Sequence, residues 1–106
     1  MKANLLLISL VAFSVPLATY AANGQEVFET HCASCHGRDG KAKTPAGKKL
    51  KVKDLTQSNT NDAEIEKQIA NGTQDAKGSP RMPEFKSKLS PDEIAALVEY
   101  VKTLRR

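Results

Sequence analysis

The 106-residue chain has no tryptophan, two tyrosines and three phenylalanines. It has only two cysteines, two histidines and two methionines. So few aromatics leave little bulk for a core, and small domains that lack a core lean on a metal, disulfides or a bound group. No stretch alternates apolar and polar residues over a strand's length, so nothing points to a sheet. There are no internal repeats and no sign of a second domain. Aromatics are not interleaved with the basic residues, which removes the pattern expected of a nucleic-acid binder. No apolar run reaches the roughly 20 residues a spanning helix needs.

The scarce cysteines are placed together. Cys32-Ala33-Ser34-Cys35-His36 has the spacing of a covalent haem attachment site. Two thiols three positions apart can each add to a haem vinyl group and form two thioethers. The histidine that follows is held where it can ligate the iron. A C-x-x-C pair is also found as a redox disulfide or as half of a zinc site. Context has to separate these.

The N-terminus supplies part of that context. Lys2 is followed by the apolar run Leu5–Val15. Pro16 ends the run, and Thr19 and Ala21 place small residues at −3 and −1 of a cut after Ala21. Residues 1–21 therefore read as a cleavable signal peptide, leaving a mature domain over 22–106. A membrane anchor is the competing reading, and the short run and cleavable flank oppose it. No cysteine near the cut invites lipid attachment. Export permits disulfides, so it does not separate haem from a Cys32–Cys35 bridge.

The net charge is +4, and Lys2 is the only charge in residues 1–21, which leaves +3 for the mature chain. Lys41, Lys43, Lys48, Lys49, Lys51 and Lys53 crowd into one segment after the motif. They read either as a solvated loop or as a docking surface for an acidic partner, where charge raises encounter rate more than affinity.

Helical signals flank the motif. A first helix is predicted after Asn23 and runs into the Cys pair. Gly37, Gly40, Pro45 and Gly47 then punctuate a loop to Asn59, with Leu50, Val52 and Leu55 tucked inward. Thr60 or Asn61 caps a short helix that ends at Asn71-Gly72. Residues 73–88 form another loop. Ser90, Pro91 and Glu93 open the clearest helix, with Leu89 and Ile94 spaced as a staple. Its stripe is Ile94, Leu97, Val98, Val101 and Leu104. The expected fold is all-α: three to four helices with long loops around one haem.

A six-coordinate iron needs a second axial ligand. His31 is tethered on the His36 side and is badly placed for it. Met1 leaves with the signal. Met82 is then the one methionine left, between Pro80 and Pro83 in a polar loop. A lone Met is often core filler, but that role suits a helix stripe better than this loop. His36 and Met82 together raise the reduction potential and close both sides of the iron to small ligands.

These residues together resemble the class I monohaem cytochromes c, nearest the small bacterial and photosynthetic types. Cys32-Ala33-Ser34-Cys35-His36-Gly37, Met82-Pro83-Glu84-Phe85, Leu89-Ser90 and Tyr100-Val101 carry the resemblance across nearly all of 23–106. The resemblance implies a covalent haem c with iron, joined through Cys32 and Cys35. Attachment outside the cytoplasm, hence the periplasm, is also implied. Gly24 and Phe28 match positions where the first helix crosses the last, beside Leu97 and Tyr100. Pro45 matches a residue whose carbonyl accepts a hydrogen bond from His36, a contact that fixes the ligand's tautomer. The basic stretch Lys48–Lys53 departs from relatives that wall the haem with apolar or aromatic residues.

The expectation is a periplasmic, monomeric one-electron carrier with redox partner proteins, no nucleic-acid partner and no stable membrane anchor. The alternatives are a haem enzyme or gas sensor with an open sixth site, and a thiol–disulfide oxidoreductase. The last would need strands around its C-x-x-C pair.

Overall fold

The computed structural model describes residues 3–4, 6–14 and 22–106. The expected cut after Ala21, with Lys2, Pro16, Thr19 and Tyr20, lies outside the described residues. Within the apolar run, Leu6, Leu7, Ile8, Leu10, Val11 and Phe13 are exposed. No helix among the described residues is long and apolar enough to cross a membrane.

The described residues form five helices: α1 (Gly24–His31), α2 (Ala33–His36), α3 (Pro45–Lys49), α4 (Asp62–Asn71) and α5 (Pro91–Thr103). A 3-10 turn covers Leu55–Gln57, and two short strands, β1 (Thr73–Gln74) and β2 (Pro80–Met82), pair antiparallel. The fold is all-α with a minimal ladder. The long helices are the expected ones. α2 and α3 are additional, and each spans little more than one turn, too short to show a periodic apolar face. The ladder was not expected either. Its strands are too short for alternation to be visible, and Pro80 weakens any strand pattern.

Local chemistry explains the long helices. Asn23 caps α1 by accepting from the Glu26 amide at 3.2 Å. Asn61 caps α4 by accepting from the Glu64 amide at 2.9 Å. Ser90 and Glu93 form a reciprocal capping box on α5, at 3.1 and 3.0 Å, with Pro91 at the first position.

α1 crosses α5, and α4 packs beside them. Gly24 permits the crossing. A methyl group there would overlap the Ala96 carbonyl oxygen and press on Tyr100 Cβ at 3.0 Å. With the backbones this close, Phe28 and Leu97 become the most deeply buried large side chains, at 1% and 0% exposure. Burial on that scale contributes about 1.5–3 kcal/mol per side chain. Ile65, Ile69, Phe85, Leu89, Ile94, Val98 and Val101 complete the core.

Candidate functional site

α1 delivers the chain into a tight turn. The Cys35 and His36 amides both donate to the Cys32 carbonyl, at 3.3 and 2.9 Å. Residues three apart on a helical turn share a face. Cys32 and Cys35 are therefore offered on the same side, with His36 directly after. Both thiols are free; Cys32 is buried and Cys35 half-buried. Burial, with the neighbouring Cys35 adding to it, pushes the Cys32 thiol up to about 11. The oxidoreductase alternative would need strands packed around the pair, and α1, α2 and α3 flank it instead.

Cys32, His36 and Met82 all line one cleft. Its remaining walls are mostly apolar: Phe28, Leu55, Ile65, Ile69, Leu97 and Val101. The Phe28 ring neighbours both the His36 and the Tyr100 rings, with centroids 6.4 and 5.2 Å away. Burial lowers the His36 pKa, so the imidazole is held neutral with a lone pair free. A wider, polar hollow lies elsewhere, between Asn23, Glu26, His31, Asp92 and Glu93. Its only apolar lining residues are Ala22 and Val27, and it holds no thiol.

Met82 reaches the cleft from the α4–α5 connection. Gly72 ends α4 with φ +70°, and a methyl group there would overlap the Met82 carbonyl oxygen. Glycine alone lets the two backbones meet. Met82 pairs with Thr73 across the ladder. Beyond it, the Phe85 and Lys86 amides each donate, at 3.1 Å, to the Ile69 and Ala70 carbonyls of α4. Buried Phe85 fixes that segment to the core.

His31 is exposed and turned against Phe85, with ring centroids 6.1 Å apart. It borders the polar hollow rather than the cleft of Cys32, His36 and Met82. Pro45 departs from its implied role. His36 Nδ1 is buried without a hydrogen-bond partner, so no bond to the Pro45 carbonyl is formed. Pro45 instead opens α3, and its neighbour Thr44 reaches the attachment turn. The Thr44 hydroxyl donates to the Cys35 carbonyl and accepts from the Gly47 amide, both at 2.9 Å.

Three polar residues of the cleft were missed in the sequence: Ser58, Thr60 and Gln68. Gln68 was findable. It stands three after Ile65 and one before Ile69, inside the inward stripe of α4. Ser58 and Thr60 sit in irregular chain and give no periodic signal.

The residues fit a covalent haem. The Cys32 thiol, a half-buried neutral imidazole and a thioether converge on an apolar cleft, with the Cys35 thiol one helical turn along from Cys32, in a chain short of its own core. A helical shell closed around a C-x-x-C-H turn defines a haem-bearing electron carrier.

The cytochrome c family model matches residues 21–105. Cytochrome c6 of Nostoc sp. (strain PCC 7120) is 40% identical over 92 residues, 85% of this chain and 77% of that protein. Cytochrome c6 of Anabaena variabilis is 38% identical over 81 residues, 76% of this chain and 87% of that one. Among solved structures, the KustC0563 c-type cytochrome superposes with a TM-score of 0.68 at 33% identity, over 79% of this chain and 99% of that chain. This chain belongs to the cytochrome c family. It carries one covalent haem c with its iron, transfers electrons rather than catalysing a reaction, and works with redox partner proteins.

Proposed function

We propose that this cytochrome is an exported, periplasmic one-electron shuttle, with Cys32 and Cys35 as the thioether residues and His36 and Met82 as the axial iron ligands. One observation carries the ligand assignment: His36 and Met82 line the same apolar cleft as Cys32. When bound, the haem supplies a one-electron redox couple. The chain's own residues do the rest. Cys32 and Cys35 hold the group covalently. His36, kept neutral by burial, offers its ring nitrogen. Met82 offers a thioether, which favours the reduced iron and occupies the site that a gas or peroxide would need. Phe28, Ile65, Ile69, Leu97 and Val101 exclude water.

Export is supported by the signal pattern over 1–21. Lys43, Lys48, Lys49, Lys51 and Lys53 are all exposed, which suits contact with an acidic partner surface. The protein acts as a monomer in this scheme.

The test uses holoprotein recovered from the periplasmic fraction of the expressing cell. Its mass should equal residues 22–106 plus one haem; a mass retaining residues 1–21 sinks the processing proposal. Met82→Ala in that holoprotein should lower the reduction potential and admit carbon monoxide to the reduced form. An unchanged potential with carbon monoxide still excluded means that Met82 is not the ligand.

A further inference from the structure

The chain on the two sides of Met82 is held very differently. After it, the Phe85 and Lys86 amides bond to α4 and Phe85 enters the core. Before it, residues 76–81 are exposed. The turn there bonds to itself. The Lys77 and Ser79 amides both donate to Asp75 Oδ1, at 2.8 and 2.9 Å, and the Gly78 amide donates to the Asp75 carbonyl at 3.0 Å. The ladder with β1 is two residues long on one side and irregular in register between Thr73 and Gln74. A hairpin of that size is marginal by itself.

Arg81 supplies the missing link. Its guanidinium Nη2 donates to the Leu50 carbonyl and, at 3.2 Å, to the Lys51 carbonyl. Those carbonyls close α3. The Val52 amide bonds back to the Gly47 carbonyl at 2.9 Å, and the Lys51 amide to the Lys48 carbonyl at 3.3 Å. Lys51 itself takes a left-handed φ of +54°. This is a Schellman end, where a cation is favoured by the exposed carbonyls. At its other end, α3 is bound to Cys35 through Thr44. A continuous chain of contacts thus runs from the residue before Met82, through α3, to the turn that carries Cys35 and His36.

We propose that Arg81 is a positioning residue for Met82, clipping its strand to α3 so that the thioether is held in the cleft. The proposal rests on Met82 being the axial ligand. A weak thioether competes with any added ligand for the iron, and the competition is decided by how well the chain holds it in place. Both bonds leave one guanidinium nitrogen, Nη2, on a rigid planar group, whereas a lysine ammonium is a compact, strongly hydrated donor on a flexible stem.

The probe is imidazole, titrated optically against ferric holoprotein, with thermal unfolding measured in parallel. Arg81→Ala should bind imidazole about fivefold more tightly, the effect of losing one exposed charged hydrogen-bond pair. Arg81→Lys should fall about midway, since it keeps the charge but not the rigid planar donor. Tightening well beyond that explained by the change in unfolding temperature supports the clip. Unchanged affinity in Arg81→Ala overturns it, as does a change that merely follows global stability. Met82→Ala separates the two ideas. If Met82→Ala binds imidazole more tightly and Arg81→Ala does not, only the clip fails. If Met82→Ala binds no more tightly than the parent, the ligand assignment fails and the clip falls with it.

Discussion

Gly72 carries more of the site than its size suggests. It stops α4, takes φ +70°, and lets the Met82 carbonyl lie where a side chain would otherwise be. Asn71-Gly72 is legible in sequence as a helix stop; its contact with Met82 is not. Gly72→Ala adds left-handed strain and a steric clash together. The expected cost is about 2–5 kcal/mol from these two sources. Denaturant unfolding of the holoprotein measures it. A loss below about 0.5 kcal/mol, the scale of an ordinary surface change, would show that the two backbones do not meet there. Gly24 shows the same physics at the α1–α5 crossing, and there the family resemblance had placed it correctly. Pro45 shows the opposite. A resemblance implied a contact with His36, and the local chain put Pro45 at the start of α3 instead.

At the scale of elements, legibility follows length and capping. α5 was read almost to the residue because its box, its proline and its stripe agree. Ser90→Ala removes one side of that box and should cost about 1 kcal/mol. For a domain of this size that lowers the unfolding temperature by roughly 4–8 °C. A melting curve superimposable on the parent would mean that packing alone holds the helix end. α2 and α3 escaped because one turn has no period to detect. α3 still left traces, since Thr44 and Pro45 are a cap and a first helical residue side by side. The β1–β2 ladder exists because Asp75 closes a turn that brings Thr73 to Met82. Its stability comes from what it is tied to, not from strand propensity.

Over the whole molecule, the exposed basic residues are concentrated on one stretch of the chain. Exposed lysines crowd the segment around α3, and Arg81 joins that segment to the strand carrying Met82. The proposed acidic partner would meet this side. The rate of electron exchange with a negatively charged small oxidant should fall as salt is raised from about 0.01 to 0.15 M, as the screening length shrinks to roughly 8 Å. A double Lys48→Glu, Lys49→Glu protein should flatten that dependence. A parent rate indifferent to salt would remove the docking role and leave a solvated loop.

The order of residues was enough for the cofactor chemistry, the helical class and the main helix ends. Each is encoded within a few neighbouring positions: thiols three apart with a histidine after them, a capping residue with its acceptor, an apolar stripe. The folded chain decided the rest. Met82 enters the cleft of His36 because Gly72 gives way, and Thr44 reaches Cys35 because α3 folds back. Gln68 joins the wall because α4 turns it inward, and Arg81 finds two carbonyls far back in the chain. Such contacts depend on loops closing and backbones packing over long separations, and no local pattern of residues specifies which pairs will meet.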